Sequence, residues 1–527
     1  MTRRQVLLLV TYLLGVFMGA LDMGIISPAL TTIISDIGAS PQWSIWIVTA
    51  YSLVYAMGMP AFGKLSDRYG RKSVYIAGVA IFGVGSLLSG MSHTIAELVA
   101  ARIVQGFGAG GIFPVATAAM GDAFPPERRG LALGMVGGVY GLASVIGPNV
   151  GGLLINHLSW HAIFYVSVPV AVVILVMSAG LQADRSAASA TSPLDLAGVL
   201  AVSATIVAFM FGLTNLDPMA LGASLGHADV YLPFLAGLAL LPLVWALERR
   251  ARDPVLPAHL VRDGRLLGVY ALTILSNATM VAMLFLPGYA QNLLSVSAGT
   301  SGYIVSILAV ATFISAPLGG SVIRRFGAAR VLALGFLLSA AGLFAVRAAG
   351  GLSGLLAGLF ILGLGMGFTA GAPLNYLVID AAGDHERGTA LAVQRVFGSL
   401  GMVLVPTVMA SILGARMQEA APRIGGAVMR ALTPYLASHP QAMAALAPLR
   451  RQFESTQMIS GSALLAALPP GLRAPFAHIV LPVIRNAAVT GFRAILVLAI
   501  ALAGLGVVLS LVTREQHRAS AAEQSAP

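Results

Sequence analysis

The chain has 527 residues, 57% of them hydrophobic and only 10% charged, with a formal net charge of +11 and no cysteine. Soluble domains carry roughly 25% charged residues, so a soluble fold is excluded and an all-α integral membrane protein is implied. Zero cysteines exclude disulfides and thiolate chemistry. The basic excess lies in loops between apolar runs, which is a topology signal and argues against a nucleic-acid partner.

Apolar runs of about 20 residues, each long enough to cross a bilayer as a helix, predict fourteen transmembrane helices. They lie near 6–34, 43–62, 74–91, 96–119, 131–157, 160–181, 194–214, 230–247, 266–289, 300–322, 331–349, 352–377, 389–414 and 489–512. The first follows only Thr2, Arg3 and Arg4 and has no small-residue cleavage site after it, so it reads as a retained helix. It holds one carboxylate, Asp22, in GALDMGII (19–26), and no other charge between Val6 and Ile34. A charge at the bilayer centre costs at least about 2.5–3.5 kcal/mol and usually faces a cavity and a partner.

After the second run comes GKLSDRYGRK (63–72). Gly63 and Gly70 permit a sharp turn at the membrane face. Asp67 is suited to capping a neighbouring helix N-terminus, and Arg68, Arg71 and Lys72 to meeting carboxylates or anionic headgroups. The fourth helix begins at Glu97, where an acid suits the N-terminal dipole, and carries Arg102. At about 1.5 Å per residue, Asp22 lies roughly 24 Å from the cytoplasmic face and Arg102 roughly 9 Å from the outer one. In a core about 30 Å thick these depths are similar, so the two can pair or alternate partners. Burial disfavours the charged carboxylate and a nearby guanidinium favours it. Movement that changes either would make Asp22 take up or release a proton; a static pair that only orders the bundle is the plainer alternative.

The fifth helix carries Gly138, Gly141, Gly147, Gly151 and Gly152, with Pro148 among them. Small residues let helix backbones approach closely in lipid, and proline bends the helix. His157 and His161 flank an outer loop and are expected in water. Arg395, about six residues into the thirteenth helix, is open to three readings: a substrate contact, a helix C-terminus contact, or snorkelling inward. Arg493 is expected to snorkel to the outer interface. Between the last two helices, 415–488 reads as short amphipathic helices broken by proline, or as a loop without fixed structure.

Arg and Lys gather in alternate loops: Lys64 to Lys72, Arg128 and Arg129, Arg249 to Arg265, and Arg324 to Arg330. The opposite short loops hold almost none, Arg347 excepted, which places both termini in the cytoplasm. Three stretches also recur without gaps and in order: 63–70 with 320–327, 106–114 with 365–373, and 129–148 with 387–406, at offsets of 257 to 259. This predicts two six-helix halves of like orientation, 1–185 and 251–527, with two extra helices in a 186–250 linker. Parallel repeats about the membrane normal are a transporter architecture with the substrate between the halves. The charges are not duplicated. Arg102 matches Ile361, Arg395 matches Gly137, and Asp22 has no acidic counterpart near 279–281.

With these motifs in hand, GKLSDRYGRK resembles the signature loop of the major facilitator superfamily. ARIVQGFGAGG (101–111) resembles the fourth-helix motif of its proton-coupled members, and GVYGLASVIGPNVGG (138–152) the fifth-helix motif of its drug:H+ antiporters. ALDMGIISPAL, WIVTAYSLVYAM, SPLDLAG and GFRAILVLAIALAG are similar to the fourteen-helix branch. Where that branch has Trp-Arg-Trp and then Asn-x-Pro, this chain reads SWHAIFYVSVP (159–169). The resemblance implies a proton-coupled exporter, with Asp22 and Arg102 at the coupling site. It also implies that Asp67, Arg71 and Asp122 lock the halves in the outward-facing state, and that Gly147-Pro148 and Gly151-Gly152 mark export.

Implied partners are protons, the bilayer, and lipophilic or cationic small molecules; the chain is read as an inner-membrane monomer. Lipid export is the alternative, since lipid exporters of this branch share the run from WIVTAY to LSDRYGRK and extend their last two helices beyond the membrane. A non-transporting receptor or scaffold is the rival from another class. No catalytic constellation, metal-ligand cluster or nucleotide loop is present, so neither an enzyme nor a cofactor is expected.

Overall fold

In the computed structural model the described residues are 3–26, 29–39, 43–181, 196–216, 221–251, 258–295, 298–369, 372–382, 386–438 and 470–524. Their regular structure is entirely helical. The N-terminal helices are α1 (Arg3–Ile25), α2 (Leu30–Ile37), α3 (Trp43–Tyr69), α4 (Arg71–Met91), α5 (Ile95–Ala123), α6 (Pro126–His157), α7 (Ala162–Tyr165) and α8 (Ser167–Ala179). In the middle are α9 (Leu196–Thr214), α10 (Leu221–Ser224), α11 (Ala228–Arg250) and α12 (Ala258–Arg262). The C-terminal helices are α13 (Gly264–Leu294), α14 (Ala298–Phe326), α15 (Ala328–Ala348), α16 (Leu352–Thr369), α17 (Ala372–Ala381), α18 (Arg387–Ser438), α19 (Pro470–Pro475) and α20 (Leu481–Gln524). Phe476–Val480, between α19 and α20, is π-helical.

Each of the fourteen expected runs overlaps a helix, and among the described residues eleven helices are long and apolar enough to cross a membrane. The runs at 43–62, 194–214 and 389–414 are the three outside that set. Several boundaries differ from expectation, three of them with consequences. α3 runs on to Tyr69, so Gly63 and Asp67 lie inside the helix and only Gly70 turns the chain before α4. The first span ends at Ile25, not near 34, and a separate helix, α2, follows and stops at Gly38 in the left-handed conformation (φ 71°). Asp36 of α2 accepts a 2.7 Å hydrogen bond from Trp160 Nε1, which ties this short helix to the start of α7. Residues 415–438 are not a short helix of their own. They continue α18 without a break for 52 residues, about 78 Å at the α-helical rise. Pro422 does not end it, because Ala427 and Ala431 pack against Leu472, Phe476 and Val480 of the returning chain. That burial offsets the one hydrogen bond a proline removes. Residues 439–469 lie outside the described residues.

The N-terminal helices pack chiefly α4 on α5, α3 on α5 and α1 on α6, and the C-terminal ones α15 on α16 and α13 on α18 and α20. α9 and α11 pair with each other, and α9 leans on α3. Two seams join the sets, α6 against α14 and α3 against α18. The repeat is visible in them. Gly70 and Gly327, matched in sequence, precede α4 and α15 with φ of 89° and 81°, values an L side chain rarely adopts. Gly63 of α3 sits on Gly388 of α18, where a Cβ would come within 3.0 Å of the carbonyl oxygen. Its counterpart Gly320 of α14 meets Gly130 of α6, the counterpart of Gly388, backbone to backbone.

Candidate functional site

Asp22 lies on the last turn of α1, completely buried. Its Oδ2 accepts from Arg102 Nη1 and its Oδ1 from Gln105 Nε2, each at 2.8 Å. Arg102 also donates to Gln105 Oε1 at 2.8 Å, and its guanidinium carbon lies 3.9 Å over the Tyr51 ring. Gln105 donates to Ser86 Oγ at 3.2 Å, and Ser86 in turn donates to the Phe164 carbonyl at 2.8 Å. Arg102 and Gln105 share a face of α5 because they are three residues apart. The start of α5 is held by a capping box between Thr94 and Glu97. The site is thus a closed network drawn from α1, α3, α4, α5 and α7. Such a buried pair contributes little to stability by itself, but removing one partner leaves an uncompensated charge, at a cost of about 3–5 kcal/mol.

The second constellation sits where the basic loops gather. Arg71 donates to Asp67, to Ser66 Oγ at 2.7 Å and to Asp122 Oδ2 at 3.1 Å. Asp67 accepts from the backbone N–H groups of Gly388 (2.9 Å) and Thr389 (2.7 Å) and from Thr389 Oγ1 (2.7 Å). It thereby caps the first turn of α18, whose free N–H groups and dipole favour an anion. Arg387 donates to Asp122 Oδ1 at 2.9 Å. The N- and C-terminal helices are therefore joined here by charge and by capping. Arg68 and Lys72 point elsewhere: Arg68 stacks at 5.4 Å on Tyr69, and Lys72 donates to the Leu181 carbonyl.

A cavity lies between the two sets, lined from α5, α6, α13, α14, α16, α17 and α18. Its polar or aromatic lining includes Phe113, Tyr140, Asn277, Asn375, Gln394 and Arg395, with the hydroxyls of Thr273, Ser276 and Thr312. The Arg395 guanidinium carbon is 3.4 Å over the Phe113 ring. Of the three readings open to Arg395, the structure has it in this cavity and stacked on the opposite set of helices. Asp22 and Arg102 do not line the cavity. Between them and it stand Tyr51 and Tyr55, stacked at 6.1 Å.

The fifth-helix glycines of α6 divide their contacts. Gly141 lines the cavity, where a Cβ would come 3.1 Å from the Thr312 side chain of α14, and Gly147 sits against Leu21 and Gly24 of α1, one residue before and two after Asp22. Pro148 abuts Gly24, at 3.0 Å from where its Cβ would lie; Gly152 faces open space, and Gly151 is buried on the same helix. Sequence reasoning missed Gln105, Thr389, Arg387 and Asn375. Gln105 alone carried a signal, its three-residue spacing from Arg102. Arg493, in α20, is half-buried, with its Nε shielded.

A sequence model of the Major Facilitator Superfamily matches residues 12–406. A multidrug transporter protein of Bacillus subtilis, MdtP, is 28% identical over 96% of this chain and 93% of its own. The tetracenomycin C resistance and export protein of Streptomyces glaucescens is 31% identical over 76% of this chain and 75% of its own. Among solved structures, the human organic anion transporter MFSD10 superposes with a TM-score of 0.58 over 79% of this chain and 95% of its own. At 16% identity that likeness concerns the fold alone.

Proposed function

The chain belongs to the major facilitator superfamily of membrane transporters, and on that premise we propose that it is a proton-coupled exporter of lipophilic or amphipathic compounds working by alternating access. The observation that carries this reading is the separation of two sites. A closed ion-pair network holds the one transmembrane acid of α1, and a cavity with its own guanidinium lies between the helix sets. The relatives named for multidrug transport and for export supply the direction and the breadth of substrate.

The positive-inside rule puts the basic loops and both termini in the cytoplasm, so the Asp67–Arg71–Asp122–Arg387 cluster closes the cytoplasmic end. In the cycle, substrate enters from the inner side, the cluster re-forms behind it, and the cavity opens outward. Asp22 is the proton carrier. When it takes a proton, its ion pair with Arg102 is lost while the Gln105 hydrogen bonds to both side chains are retained; the buried guanidinium is then without a counter-charge, and that cost loosens α1 from α5. α1 also contacts α6 through Gly24, Gly147 and Pro148, and the same α6 carries Tyr140 and Gly141 to the cavity. A shift of α1 is thereby passed to the cavity wall.

Lipid export is a second reading, favoured by one observation: α18 and α19–α20 extend as a packed apolar pair far past the length a bilayer requires. The test of the main reading is purified protein in proteoliposomes with an imposed pH gradient. Addition of a lipophilic dye should collapse the gradient and drive uphill dye movement. Dye movement with no proton flux would leave a uniporter.

A further inference from the structure

Arg395 is the one charged side chain lining the cavity among the described residues; the lining contains no Asp or Glu. One face of its guanidinium is covered by Phe113. Among the described residues it makes no hydrogen bond or ion pair, so its N–H edge is left for whatever occupies the cavity. The nearby acid of the N-terminal helices, Asp22, is already taken by Arg102 and Gln105. A second, independent feature points the same way. Asn375 is 1% exposed and lines the cavity, yet its Nδ2 donor has no partner. A buried donor without an acceptor is destabilising and a lone buried cation more so, so a ligand that accepts from both would relieve both. The remaining wall combines aromatic and apolar side chains, Phe113, Tyr140, Met280, Met366 and Leu374, with uncharged polar ones on α13, α14 and α18.

We infer that this cavity takes an oxyanion, a carboxylate or a phosphate, carried on an aromatic or aliphatic body, with Arg395 as its anchor and Asn375 as the second donor. This deepens the reading of the chain as an exporter of amphipathic compounds, and replaces the cationic substrates that family resemblance implies. Bidentate acceptance by guanidinium suits both carboxylate and phosphate. The stacked Phe113 leaves the fork in plane for it.

The experiment uses the full chain in nanodiscs, corrected against empty discs. Three probes share one pyrene body: 1-pyrenebutyrate (anion), its methyl ester (neutral) and 1-pyrenebutyltrimethylammonium (cation). Equilibrium binding by fluorescence should favour the carboxylate over the cation by tenfold or more, the scale of a charge-assisted hydrogen bond, about one to two decades. Arg395→Gln should weaken pyrenebutyrate by about tenfold while leaving the ester nearly unchanged. Arg395→Lys should retain part of the preference. Asn375→Leu, which keeps the guanidinium, should weaken the carboxylate selectively and to a smaller degree. Displacement of bound pyrenebutyrate by phosphatidic acid would assign the oxyanion to a lipid headgroup, and displacement only by aryl carboxylates to a soluble compound. Equal affinity for the three probes, preference for the cation, binding of none of them, or an Arg395→Gln loss equal for anion and ester would each overturn the inference. The binding assay contains no gradient. Selective binding without transport in vesicles would therefore remove the export reading and leave this one standing.

Discussion

Asp67 makes the most consequential single contact at the end where the basic loops gather, because one carboxylate accepts two backbone N–H groups and a hydroxyl from the start of α18 while facing Arg71. Asp67→Asn removes the charge from every one of these bonds at once. Hydrogen bonds to charged groups contribute about 1.5–3 kcal/mol each, so the variant should spend far less time closed on that side. Transport turnover should fall while membrane expression stays near normal; wild-type turnover would show that the cluster does not gate. Capping by Asp67 was legible in the sequence, although the residue sits in the last turn of α3 and not in the loop the sequence predicts. Its partner helix was not, because residues 67 and 388 are brought together only by the pairing of α3 with α18. Arg395 was legible as a charge and not as a cavity group. Nothing within α18 says that Phe113, on a helix nearly three hundred residues earlier, will cover its face.

At the scale of helices, the seams α6–α14 and α3–α18 depend on residues with no side chain. Gly130 and Gly320 meet backbone to backbone, an approach that any Cβ would force apart. Gly130→Val should hold the Asp67–Arg71 end, proposed to face the cytoplasm, ajar. The native chain has no cysteine, so Thr312→Cys in that background gives a clean readout: a thiol reagent applied from the cytoplasmic side should label the cavity faster than in the Thr312→Cys parent. An unchanged labelling rate would mean the seam adapts. The two seams repeat at a fixed sequence offset, which is why the glycines could be matched before any contact was known. The reach of α18 could not, since proline signals a break in an isolated helix and the packing of Ala427 and Ala431 on Phe476 is tertiary. If that extended pair guides lipid tails outward, replacing 420–485 with a short Gly/Ser linker should impair lipid export more than export of a small pyrene probe. Equal retention of both would assign the pair to structure alone.

For the molecule as a whole, the fold followed from composition, periodicity and the internal repeat, whereas the coupling claim rests on where the repeat fails: Asp22 and Arg102 have no counterparts, and they find each other at 2.8 Å. The most direct measurement compares wild type and Asp22→Asn in proteoliposomes carrying a pH gradient, following internal pH and the movement of a transported pyrene probe together. Asn keeps the side chain's size and a carbonyl for Arg102 but carries no titratable proton. Wild type should collapse the gradient as the probe moves uphill. Asp22→Asn should insert in the membrane, exchange probe against probe, and neither consume the gradient nor accumulate probe against it. Uphill movement by Asp22→Asn at the wild-type rate and with the wild-type pH dependence would contradict the account, and Asp22 would then be a structural partner of Arg102 with the proton carried elsewhere.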